Sequence, residues 1–189
     1  MSIEERIELL LDKYSIPDED KELYIYGIRQ GIFMLINIIT TFVLGFLLRM
    51  FLCSVLYFVV YSTLRIYAGG AHAKTPLRCY IYSTMLTASV LLLVKYLPHS
   101  FWLVFGILMV SSFIVYLVSP VESRNKPLSS KEVELYKRRV NLLLFFYVAI
   151  GVVLLVFQHI LFAFTIAVSI GALSFMLLWG RKTEINRLK

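Results

Sequence analysis

Six apolar stretches alternate with polar connections along most of this chain. They run from about Leu23 to Leu48, Phe51 to Leu64, Pro76 to Val94, Phe101 to Val118, Val140 to Phe157 and Ile160 to Trp179. Long apolar runs of this kind read as membrane spans, which need about 20 residues each. The second run is short for a span unless Arg65 and Tyr67 extend it at the interface. The fifth continues a helix that begins near Ser129. Ahead of the first run, Ser2 to Tyr14 carries apolar residues at helical spacing (Ile3, Ile7, Leu10, Leu11, Tyr14), with Ser2 and Glu5 as a capping-box pair. Its polar face is acidic, which suits the protein's own basic loops better than a lipid surface. It lacks the basic start and short apolar core of a cleaved signal peptide. A turn is expected at Pro17 to Asp20. The pattern predicts an all-α, polytopic membrane protein of about six transmembrane helices plus an N-terminal amphipathic helix. Residues 1–189 form one membrane-embedded domain, with the amphipathic helix at 1–20, the six-helix region at 21–180 and a basic tail at 181–189.

Composition agrees with that pattern. Hydrophobic residues make up 59% of the 189, charged residues only 16%, and mean hydropathy is +0.79. Ordinary globular chains carry about a quarter charged residues, so a separate soluble domain has no room. The net charge of +7 is unevenly spread. Residues 1–22 hold three basic and eight acidic side chains, and residues 23–189 hold sixteen basic and four acidic. In a membrane protein such an excess reads as topology rather than nucleic-acid binding. With six spans, sixteen Lys and Arg fall on one side: in the N-terminal tail, the second-to-third connection, the fourth-to-fifth loop and the C-terminal tail. Only Arg49 and Lys95 fall on the other. Both termini and the second-to-third connection are therefore expected in the cytoplasm. Two cysteines make neither a disulfide framework nor a zinc site, and no cofactor is expected. Cys53 lies inside an apolar run and reads as core.

The second-to-third connection is a polar island, Arg65 to Cys79. It holds His72, Cys79, the one Gly-Gly pair (Gly69, Gly70) and a Thr75-Pro76 step. Glycines permit a sharp turn. Thr75 suits an N-cap and Pro76 the first helical position. A helix starting there puts Cys79 in its first turn, where unpaired N–H groups and the macrodipole favour a thiolate. His72 precedes the cap, and the Gly-Gly turn could fold it back toward the sulfur. In one unbroken helix the two would sit about 10 Å apart along the axis, too far for proton transfer.

This island resembles the signature of the accessory gene regulator protein B family, membrane endopeptidases that mature quorum-sensing peptides in Gram-positive bacteria. That signature is an Arg, then Gly-Gly-x-His, then a Cys seven residues after the His: here Arg65, Gly69, Gly70, His72 and Cys79. A second block, Ser119-Pro120-Val121-Glu122 followed by Asn125-Lys126-Pro127-Leu128, resembles the family's loop between its fourth and fifth spans. The resemblance implies that Cys79 is the nucleophile and His72 its base. It implies a precursor peptide with an amphipathic leader and an acidic C-terminal tail, cut at the membrane and released as a thiolactone or lactone ring. It also implies a homodimer in the bilayer of the bacterial cell.

Other residues carry open alternatives. Arg65 either anchors a helix end at the interface or grips the substrate backbone or a carboxylate. Glu122 and Asn125 either serve an ordinary loop or orient His72. Lys126 to Arg139, with Lys137, Arg138 and Arg139 at its end, either sets topology or also attracts an acidic peptide tail. Two other function classes are open: a small transporter subunit, which would favour ionisable residues buried mid-span, and a non-catalytic assembly partner. Asn37 and scattered Ser and Thr are the main polar groups inside the runs.

Overall fold

The computed structural model describes residues 18–70, 75–121 and 129–188. Six helices follow in order: α1 (Asp18–Leu47), α2 (Phe51–Ala68), α3 (Pro76–Tyr96), α4 (Phe101–Val118), α5 (Ser130–Val156) and α6 (Ile160–Leu188). All six are long and apolar enough to cross a membrane. The protein is thus an all-helical, multi-pass membrane protein. The expected N-terminal amphipathic helix lies outside the described residues.

Four boundaries differ from the sequence reading. Asp18 to Asp20 open α1 rather than form a turn, because acidic residues suit the positive end of a helix. α2 runs on through Arg65 and Tyr67 to Ala68, giving 18 residues, so the doubtful second run does reach spanning length. α3 reaches Tyr96, two residues beyond Val94. α6 continues past Trp179 to Leu188, so the helix extends into the basic tail. α4 has the expected limits, and α5 starts at a Ser129–Glu132 capping box in which both reciprocal bonds are made.

α6 is the axis of the bundle. Every residue from Ala163 to Ile170 is buried, and the helix packs on α2, α3, α4 and α5. A helix apolar all round belongs at such a centre. α1 is peripheral, packing on α2 and α3 and exposing Met34, Leu35, Ile39 and Phe46. With no water in the hydrocarbon layer, hydroxyls there need protein partners. Ser111 donates to Ile107 O (2.6 Å), Thr165 to Leu161 O (2.9 Å) and Ser169 to Thr165 O (2.6 Å). Other hydroxyls tie helices together: Thr40 with Tyr80 (3.0 Å), Thr63 with Tyr147 (2.9 Å) and Thr87 with Tyr57 (3.5 Å).

Candidate active site

Cys79 sits where its local sequence puts it. Thr75 is extended (φ −129°, ψ 146°), and its hydroxyl accepts from the Arg78 N–H at 3.4 Å. Pro76 takes the first helical position, where its missing N–H costs no bond. The Cys79 N–H donates to Thr75 O at 3.0 Å. The thiol is half-buried and free, whereas Cys53 is 3% exposed at the opposite end of α2 from Arg65. Tyr61, one turn before Arg65, lies within electrostatic reach of both the Arg65 guanidinium and the Cys79 thiol. Its ring stacks on Tyr57 at 5.4 Å.

The Gly-Gly turn is built on two contacts that exclude side chains. Gly69 has φ 72° and ψ −146°, a region open essentially to glycine alone. Its backbone bridges Val121, and the Val121 N–H donates to Ala68 O at 2.9 Å. A Cβ on Gly69 would lie 2.2 Å from Val121 O. Gly70 has φ 124°, and a Cβ there would meet Arg65 Nη1 at 2.1 Å and Met176 O of α6 at 3.4 Å. The guanidinium of Arg65 therefore packs against the turn that follows its own helix.

The second sequence block meets the first here. Val121, the residue before Glu122, lies against Gly69, three residues before His72. Its approach is fixed by Lys137 of α5. The Lys137 amine donates to Ser119 O at 2.6 Å and to Tyr116 O, the open carbonyls at the end of α4, and lies 5.0 Å from the Tyr116 ring centre. Lysine at a helix C-terminus satisfies just such carbonyls. Arg139 lies over the Tyr67 ring (5.2 Å), and Tyr67 meets Tyr136 edge-on (5.8 Å), joining the end of α2 to the start of α5. Arg138 is exposed. His72, Glu122, Asn125 and Lys126 lie outside the described residues. Among the described residues no group of His, Cys, Asp and Glu could hold a metal ion.

The model of the accessory gene regulator B family matches residues 4–177, nearly the whole chain. The chain belongs to the accessory gene regulator B family. A putative AgrB-like protein of Clostridium perfringens strain SM101 is 30% identical over 141 residues, covering 69% of this chain and 66% of its own length. A second from Clostridium perfringens strain 13 aligns to the same extent. The accessory gene regulator protein B of Staphylococcus intermedius is 27% identical over 108 residues, 57% of each chain. The chain thus spans just under two thirds of the length of the Clostridium relatives it matches. No solved structure matches.

Sequence reasoning did not find the side chains that hold the turn. Tyr67, Tyr116 and Tyr136 carry no motif, Met176 offers only its backbone carbonyl, and these roles arise from helices distant in sequence. Val121 lies within the second sequence block, but its contribution is backbone, which residue identity does not reveal. His99, in the connection between α3 and α4, is held by packing: its ring nitrogen bonds Val94 O (2.7 Å) and its ring meets Phe164.

Proposed function

We propose that the protein is a cysteine endopeptidase that cuts the C-terminal tail from a precursor peptide and passes the remainder, as a thioester, to ring closure. The observation that carries this reading is the Gly69–Val121 bridge. It brings the chain leading to His72 against the chain leading to Glu122, six residues ahead of the capped helix start that carries Cys79. His72 takes the Cys79 proton, and the thiolate attacks the scissile carbonyl. The C–N bond breaks, the departing amine takes the proton from His72, and the N-terminal fragment stays on the sulfur as a thioester. An internal thiol or hydroxyl of the substrate then attacks that carbonyl, closing a thiolactone or lactone and returning the proton to Cys79. Proximity makes the closure effectively unimolecular. In the first turn of α3, Pro76 has no N–H, and the cap uses those of Arg78 and Cys79. The Leu77 N–H is left as the first-turn donor for the developing oxyanion. Glu122 or Asn125 orients His72.

The substrate is a peptide with an amphipathic leader that lies on the membrane and an acidic tail that meets the basic loop. Two copies of the chain act as a homodimer. Both termini and the catalytic segment face the cytoplasm of the bacterial cell, following the Lys and Arg distribution. One labelling experiment tests orientation and chemistry together. In intact cells Cys79 reacts with a membrane-permeant maleimide but not with an impermeant one, and its modification stops cleavage, while buried Cys53 stays unmodified. Labelling of Cys79 from outside rejects the orientation. Full cleavage after complete alkylation of Cys79 rejects the thiol mechanism.

Basic residues at the start of α5 divide by what they touch. Lys137 already serves two carbonyls of the α4 end, so it positions the second block rather than greeting the substrate. Lys137→Gln should lower kcat by about tenfold with little change in KM, since misplaced groups slow the chemical step. Arg138 is exposed, and Arg138→Glu should raise KM for an acidic-tailed precursor while kcat stays within about twofold. That KM effect should shrink as salt is added. Steady-state kinetics on the two variants decide the division; a pure KM effect at Lys137 contradicts its positioning role.

A further inference from the structure

The end of the bundle away from Cys79 carries a second built feature. A cavity of about 760 Å³ lies where α1 ends, α2 begins and α6 begins. Phe46, Leu47, Leu52, Leu161 and Phe162 wall it with apolar surface, and Arg49 is the charged residue on its lining. Volumes in the range of about 300–1,000 Å³ suit organic ligands held mainly by apolar contact.

Arg49 is unusual in backbone as well as in charge. Its φ is 57°, the left-handed region in which glycine or asparagine ordinarily ends a helix. The turn closes around it, with the Arg49 N–H on Phe46 O (3.0 Å) and the Met50 N–H on Gly45 O (2.7 Å). An arginine occupying a position that favours glycine places its cation beside an apolar cavity. The other cation at this end converges on the same turn: Lys95, in the last turn of α3, donates to Leu48 O at 3.3 Å. The three connections at this end, residues 48–50, 97–100 and 157–159, contain no Asp or Glu. No carboxylate in these connections offsets the two cations, so this end of the cavity is positively charged.

We propose that this cavity binds an anionic phospholipid, with an acyl chain along the apolar wall and its phosphate between Arg49 and Lys95. An apolar slot at membrane depth with cations at its rim is the chemistry that selects a charged lipid over a neutral one. The site lies at the end of the bundle opposite Cys79 and takes no part in cleavage.

Purified full-length protein in neutral detergent is titrated with dioleoyl phosphatidylglycerol, dioleoyl phosphatidylcholine or soluble glycerol phosphate, and the unfolding midpoint is followed. Phosphatidylglycerol raises the midpoint, as any ligand of the native state does. Phosphatidylcholine, with the same chains, and glycerol phosphate, with an anionic phosphate but no chains, raise it far less. Arg49→Gly, a change the left-handed backbone accommodates, and Lys95→Gln each weaken the lipid's apparent affinity about fivefold, judged against each variant's own lipid-free midpoint. Equal shifts from the two lipids overturn the proposal, as does a phosphatidylglycerol shift that survives the double variant. A shift reproduced by glycerol phosphate alone shows a simple anion site and also overturns it.

Discussion

Gly69→Ala slows peptide processing about a hundredfold while leaving a folded protein. The residue sits at φ 72° and ψ −146°, where a side chain costs about 1–3 kcal/mol. The larger obstacle is steric: the new Cβ would fall 2.2 Å from Val121 O, a backbone atom that cannot swing aside. Either the turn or the 119–121 segment must move by about an ångström. His72 follows Gly69 by three residues in the chain, so a shifted turn is expected to displace the proposed base. A shift of that size costs about a hundredfold in rate. The bundle core around α6 is not touched, so the unfolding midpoint should fall only modestly. Gly70→Ala should be milder. Its nearest neighbour is the Arg65 guanidinium, the far end of a flexible side chain, though its φ of 124° still opposes the change. Gly106→Ala is the control, because a Cβ there meets nothing within 4 Å. Cleavage assays on the three purified variants give the order expected: Gly69 far below Gly70, and Gly106 at the wild-type level. Gly69→Ala within about twofold of wild type would show that the turn does not place the base.

Cys79→Ser and His72→Ala each lose at least about 10³-fold in cleavage. A serine hydroxyl is a far weaker nucleophile than a thiol unless its base is tuned to it, so even this near-isosteric change fails. The two losses do not add, because nucleophile and base act as one unit, and the double variant should be no worse than either single one. Cys53→Ala leaves cleavage largely intact, since that thiol is buried near the other end of α2. Additive losses in the double variant would mean that His72 acts on some other group than the thiol of Cys79.

The parts of this site that were legible in the sequence are the local ones. Thr75, Pro76 and Cys79 fix the start of α3 through contacts within four residues, so residue type alone specifies the cap. Ser129 and Glu132 do the same for α5. The six spans follow from apolar run length, and the one doubtful span was resolved by its interfacial residues, Arg65 and Tyr67, joining the helix. The turn's partners were not legible. Gly69 signals a tight turn, but nothing in its neighbourhood says that Val121, 52 positions along, is what presses on it. Lys137 reads as one more charge in a basic run until the end of α4 is brought beneath its amine. Asp18 to Asp20 read as a turn because they follow a proline and are polar, yet the same acidic residues suit a helix start. Local capping chemistry is written in residue identity, whereas backbone meeting backbone is decided by the packing of distant helices.

In the proposed reaction the thiol of Cys79 forms a covalent link to the peptide. Wild-type protein mixed with full-length precursor and quenched in acid should show, by intact mass, an adduct of the N-terminal fragment. Peptide mapping should place it on Cys79, hydroxylamine should remove it, and Cys79→Ser protein should lack it. Cleavage that persists in Cys79→Ser protein without any adduct, or a thioester mapped to Cys53, rules out Cys79 as the nucleophile.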